Sequence, residues 1–353
     1  MSRLWVKWMP AVVVPAAIVA GVLAVPLQAG AAVDLPAQTP QAVLELAAGS
    51  TVNTFSGTLE QTSKLGLPEL PSSTGDAAAG DISAALDLLT GSHTVRVYQN
   101  GADQSRVQVQ DTMSELNLIR NGSDVWVYDS TDKTAAHTSL PADSAKRSDP
   151  TESYTPSDLA NKFLAEVTPS TAVSLAENTR VAGRDAYDLV LTPNSNDTLV
   201  GSVSIAVDAE TGLPLRVQVE AKAATEPAIS LAFTSLSFDA PAADLFTFSP
   251  PAGATVTEET PPATADAPSA QADHSGATVI GTGWDAVVAV PAGADASALT
   301  ELTASPLYSQ LTDAVDGGRA LSTTLLSVLI TNDGRVFAGS VPVERLQAAA
   351  AQE

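Results

Sequence analysis

Between residues 187 and 233 the apolar positions recur at every second residue. They are Tyr187, Leu189 and Leu191, then Val203, Ile205 and Val207, then Leu215, Val217 and Val219, then Ile229, Leu231 and Phe233. A period of two sends each set to one face of a sheet and the intervening polar residues to the other. The pattern predicts four strands of an antiparallel meander. Asp208-Ala-Glu-Thr-Gly212 supplies the turn between the second and third, with Gly212 free to adopt left-handed backbone. Near Ser235 the phase slips, so that Leu236 and Phe238 take the opposite parity, and this predicts a β-bulge.

A second meander precedes it. Strands are expected at 55–62, at 93–98 with Val95 and Val97 on one face, and at 106–110 with Val107 and Val109. They continue at 115–119 with Leu116 and Leu118, and at 124–129, where Val125 and Val127 oppose Trp126 and Tyr128. Asn100-Gly101 and Asn121-Gly122 mark hairpin turns. Three short helices are predicted: one opened by Thr39-Pro40, one over 82–90, and one opened by Thr155-Pro156. Leu159, Phe163, Leu164 and Val167 form a single apolar stripe on the third. Residues 64–81 and the stretch between 130 and 154 are expected as loops, and the domain ends near Val256.

Residues 257–275 lack apolar periodicity and predict a linker. A smaller α+β unit is expected over 276–353. Its elements are a strand at 284–290, one or two short helices within 296–315, strands at 320–331 and 335–341 flanking Asn332-Asp-Gly334, and a terminal helix at 342–350. No repeat of solenoid length occurs.

The front of the chain is organised differently. Arg3 and Lys7 precede an uncharged apolar run at 11–27, followed by Gln28-Ala-Gly-Ala-Ala32. That order predicts a secretory signal over 1–32, with an uncleaved membrane anchor as the alternative. The chain has 353 residues and no cysteine, so an exported form has no disulfide or N-terminal lipid-bearing cysteine and relies on its core. Its formal charge is −23 at pH 7, and −25 once Arg3 and Lys7 leave with the signal. Such a surface repels phosphate backbones, which excludes nucleic acid as a partner class. The Ala-rich, acidic, Lys-poor bias is that of a GC-rich bacterial genome, as in actinobacteria.

The element order ends in Asp244-Leu-Phe-Thr-Phe-Ser-Pro-Pro-Ala-Gly253. With 54–60, Asn121-Gly-Ser-Asp-Val-Trp-Val-Tyr128, 187–192 and 203–214, that order resembles the LolA-like superfamily of lipoprotein and lipid carriers over roughly residues 33–257. The superfamily includes outer-membrane lipoprotein-sorting proteins, the sigma-E regulatory RseB/MucB proteins and mycobacterial lipid-carrying lipoproteins. The resemblance implies an α+β fold over 33–256: an incomplete antiparallel β-barrel, a curved sheet covered by short helices, with an apolar cavity between them. The small C-terminal α/β unit with its β-hairpin lies outside the resemblance.

An open curved sheet exposes one apolar face unless something covers it. By parity, Val107, Val109, Leu116, Leu118, Leu189, Val203, Ile205 and Val217 bound the expected cavity, with Leu159 and Phe163 facing it from a helix. Trp126 either lines it or stacks on a neighbouring strand. A sealed core under the same helices is the alternative to an open cavity.

Catalytic chemistry has little support. His93 begins a strand, His137 is expected in a loop and His274 in the linker, without metal-site spacing. Ser130-Thr-Asp-Lys133 matches S-x-x-K by chance, since it falls in an expected turn and lacks its partner motifs. No catalytic residue, metal or cofactor is therefore expected. The reading is an exported, envelope-located carrier of a lipid or acylated lipoprotein, with a membrane transporter as the expected recipient. The alternative is an envelope-stress sensor that binds a membrane regulatory protein. Trp126 and Trp284, one per expected domain, give a discriminator: bound lipid is expected to perturb Trp126 and not Trp284.

Overall fold

The alternating segments pair as their pattern requires. In a computed structural model of the chain, the described residues are 33–67, 91–110, 114–140, 161, 164–165, 167, 169–222, 224–259, 276–293, 303 and 306–352. The expected signal at 1–32, the helix at 82–90, Leu159, Phe163 and linker residues 260–275 lie outside them.

Among the described residues, thirteen strands form the larger sheet. The first six are β1 (Thr54–Ser63), β2 (Thr94–Asn100), β3 (Gln104–Gln110), β4 (Glu115–Asn121), β5 (Asp124–Asp129) and β6 (Thr134–Ser139). The others are β7 (Thr171–Leu175), β8 (Thr179–Val181), β9 (Arg184–Pro193), β10 (Val200–Asp208), β11 (Pro214–Ala221), β12 (Ile229–Ser237) and β13 (Thr255–Glu259). Their order is β13-β6-β5-β4-β3-β2-β1-β12-β11-β10-β9-β7, with β8 also on β9. Pairing is antiparallel except between β13 and β6. The sheet curves without closing into a barrel, as expected.

The two meanders meet at the β1–β12 pair, where the expected bulge lies. Leu59 faces Phe233 but Thr58 faces Ser235, leaving Thr234 as the extra residue. The slip brings Phe233 and Leu236 to the same face despite their opposite parity.

Helix α1 (Pro40–Ala48) starts as predicted. The Thr39 hydroxyl accepts the Ala42 N–H at 3.2 Å, and Pro40 occupies the first turn. Its Val43 is fully buried in a cluster with Tyr187, Leu189, Leu191 and Val207. Val167, itself in helical conformation, packs on the same cluster.

Three expectations about the first domain change. The stretch after Tyr128 contains β6, which places His137 in a strand. Strands β7 and β8 precede the large meander, and β8 turns into β9 through Ala182-Gly183, both at positive φ. Strand β13 carries regular pairing three residues into the segment read as a linker.

The smaller sheet holds β14 (Thr278–Ile280), β15 (Val287–Val290), β16 (Asp313–Val315), β17 (Gly318–Ser322), β18 (Ser327–Thr331) and β19 (Val336–Gly339). They run in the order β14-β15-β19-β18-β17-β16, with helices α2 (Pro306–Leu311) and α3 (Val343–Ala350). Phe337, Leu329, Val287 and Leu346 centre its core. The Asn332-Asp-Gly334 hairpin joins β18 to β19. The single strand expected over 320–331 is instead two, because the Thr323 hydroxyl accepts the N–H groups of Leu325 and Leu326 and folds the chain back.

Candidate functional site

Directly paired residues of an antiparallel ladder share a face, so the register traces one apolar surface across both meanders. Val107 pairs with Val97 and with Leu118, and Val109 with Val95 and Leu116. Val97 pairs with Gly57 and Val95 with Leu59, which faces Phe233. On the other side of β12, Leu231 pairs with Val217 and Ile229 with Val219. Val217 pairs with Ile205 and Val219 with Val203, and these reach Leu189 and Leu191. All eight strand residues named from the sequence therefore share one face. Leu189 is buried, while Val107, Val109, Leu116, Leu118, Val203, Ile205 and Val217 are half-buried.

Trp126 is not brought to them. It pairs with Ile119 and His137 on the opposite face, where its ring stacks on His137 with centroids 4.2 Å apart. The chain after β12 covers that region. Phe246, in the turn Ala243–Phe246, is buried, the Phe248 ring lies 5.4 Å from Trp126, and Arg106 Nη1 donates to the Leu245 carbonyl. The Asp-Leu-Phe-Thr-Phe tail thus packs on the outer face of β3–β5, and β13 then joins β6.

Close approach shapes the apolar face at Gly57, where a Cβ would stand 2.6 Å from the Phe233 ring. The absence of a side chain lets Phe233 lie across the sheet, edge-on to Phe55. Polar groups border the face at one end: Gln61 and His93 are buried and exchange both backbone hydrogen bonds.

That same end receives the smaller sheet. Leu325, in the β17–β18 loop, shares a buried cluster with Val200, Ala221 and Ala228. Leu65, Val203, Val219, Ile229 and Trp284 pack against the cluster. The sequence placed Trp284 in a separate unit and gave Leu325 no role; both rest on contacts between segments more than fifty residues apart, which no local pattern encodes.

Charged groups on this face stand at strand ends, Arg120 pairing with Val125 and Asp129 with Leu116. Arg216 bonds Asp188 at 2.7 Å on the opposite side, where burial pushes the Asp188 carboxyl above its usual range despite Arg216. No group of acidic, histidine or cysteine side chains suited to a metal occurs among the described residues. Ser130 and Lys133 lie in a turn, with the Ser130 hydroxyl accepting the Glu115 N–H at 2.7 Å, so no helix opens there. No described helix is long and apolar enough to cross a membrane.

Residues 85–255 match the family model of the MucB/RseB N-terminal domain. The match supports a LolA-like, RseB/MucB-like assignment for that segment. Among solved structures, the chain is similar to the Pseudomonas aeruginosa MucA/MucB complex, with 16% identity, a TM-score of 0.45, and 88% of this chain and 96% of that one covered. A LolA-superfamily protein from Nitrosomonas europaea is similar at 15% identity and a TM-score of 0.24, over 60% of this chain and 99% of that one. A putative outer membrane lipoprotein-sorting protein domain from Vibrio parahaemolyticus is similar at 13% identity and a TM-score of 0.22, over 56% and 90%. No curated protein matches the chain. The matched segment begins after β1, so α1 and β1 lie outside it, although β1 joins the two meanders.

Proposed function

We propose that this chain is a non-enzymatic binding protein of the cell envelope whose half-barrel holds the acyl chain of a lipid or lipoprotein. One observation carries the reading: an apolar surface continuous through eight paired strands, most of whose residues are only half-buried. Each methylene of an acyl chain laid on such a surface contributes about 0.8 kcal/mol. A single chain is then held without a covalent step. In this proposal residues 1–32 direct export and residues 33–256 bind the chain.

A second reading has support in the family match. An RseB/MucB-like regulator would sense the bound lipid and contact a membrane protein, and the solved MucA/MucB complex is a precedent for partner binding. The smaller unit at 276–353 is the proposed partner-facing part.

The packing of Trp284 beside Val203, Val219 and Ile229 reverses the tryptophan expectation. Titration with oleate is expected to shift Trp284 emission in a Trp126→Phe protein. Trp126 emission in a Trp284→Phe protein should stay unchanged. Emission unmoved in both proteins would contradict acyl binding on this face.

A further inference from the structure

The two sheets meet where β1 and β9 end, β11 ends, and β10 and β12 begin. Among the described residues, five hydrogen bonds join the two sheets there. Thr324 N donates to the Leu65 carbonyl at 2.9 Å and its hydroxyl to the Lys64 carbonyl at 3.0 Å. Leu199 N and the Thr198 hydroxyl both donate to the Ser340 carbonyl, at 2.7 and 2.8 Å. Trp284 Nε1 donates to the Thr171 hydroxyl at 2.7 Å.

Between these bonds sits Leu325, 7% exposed, on a loop braced by the Thr323 hydroxyl. Its neighbour Leu326 points away and is 43% exposed. The residues at this end of the apolar face, Val203, Val219 and Ile229, pack on the Leu325 cluster. One step further along the strands, Ile205, Val217 and Leu231 are half-buried. The apolar surface therefore runs up to Leu325 and Trp284 and stops.

We propose that Leu325 and Trp284 form the end wall of the acyl-chain site and set the length of chain it accepts. The inference rests on the acyl-binding reading above. It makes the smaller sheet part of the binding site, because its loop supplies a surface the half-barrel lacks. The Trp284 hydrogen bond to Thr171 holds the indole in place, and the Thr323 brace does the same for Leu325.

The test uses the full chain and a homologous series of saturated fatty acids from decanoic to octadecanoic acid, with affinities measured by displacement of a fluorescent fatty acid. Leu325→Ala is expected to move the best-bound acid to a longer chain, each newly seated methylene tightening binding roughly fourfold. Leu325→Phe fills the same space and should move it to a shorter one, which keeps the test decisive if the alanine variant folds poorly. Leu326→Ala should leave the profile in place. A profile unmoved by both Leu325 variants overturns the wall while acyl binding stands. A native chain that binds none of the acids overturns the acyl reading itself, and the wall with it.

Discussion

Asp208 shows how one residue ties the meander to its turn. Its side chain is fully buried, and Oδ1 accepts from Thr211 N at 2.7 Å, the Thr211 hydroxyl at 2.9 Å, Glu210 N at 3.1 Å and Arg184 Nη2 at 2.9 Å. Burial pushes the carboxyl up, but Arg184 and Thr211 more than reverse this and hold it below the usual carboxylate range. Asp208→Ala should destabilise the protein by about 3 kcal/mol, as it strips the turn and leaves Arg184 without its buried partner. Arg184→Met should cost less, since Asp208 keeps its donors in the turn; urea unfolding of both variants checks the order. A carboxyl with a lowered folded pKa contributes stability that is fully present above its unfolded pKa of about 3.9. That contribution disappears as pH falls through the lower folded value. The stability gap between the native protein and Asp208→Asn should thus be flat near neutrality and shrink in acid. Four residues on, Gly212 has φ +75°, and a Cβ there would stand 2.2 Å from the Leu46 carbonyl oxygen of α1. Gly212→Ala should cost about 2 kcal/mol or more, with hydrogen exchange rising first in α1.

Among the elements, β13 has the least local support. It is an edge strand paired in parallel with β6, more than one hundred residues earlier in the chain. His137 fastens it: Nδ1 meets Glu258 of β13 at 2.8 Å, Nε2 meets Asp124 of β5 at 3.2 Å, and Trp126 covers the ring. Burial lowers the His137 pKa, and the carboxylates, Glu258 ahead of Asp124, more than compensate and raise it above 6.5. A raised histidine stabilises the fold below its unfolded pKa and ceases to do so as pH rises through the folded value. Amide exchange in β13 should therefore accelerate with that rise beyond its intrinsic pH dependence, and His137→Gln should abolish the excess. Equal behaviour of the two proteins would remove His137 from this role. The sequence revealed elements wherever a glycine turn bounded a run of alternating large apolar residues, as at Asn100-Gly101, Asn121-Gly122 and Gly212. It concealed β6 because its turn uses Lys133 at φ 53° rather than glycine, and because Thr134-Ala-Ala-His-Thr-Ser139 offers only alanines to its two faces. Strand β8 is three residues long, too short to show a period, and β13 depends on a partner no window along the chain includes.

At the scale of the whole molecule, the apolar face was legible because parity survives any arrangement of the strands, and the bulge at Thr234 preserved it across the junction. The joining of the meanders through β1 and β12 and the seating of the smaller sheet on the end of that face were not legible. Both are long-range pairings decided by packing. Trp284 and Leu325 are the residues most affected: read locally they belong to a separate unit, and in the folded chain they border the same surface as Val203 and Val219. Parity alone also assigned Trp126 to the opposite side from Val125 and Val127, which is where it lies. The most direct measurement is native mass spectrometry, with organic extraction, of the protein purified from its own envelope without detergent. A stoichiometric lipid, displaced by added fatty acid, is the predicted result. A clean protein mass with no uptake of added lipid would mean that the apolar face is a closed core and would contradict acyl binding.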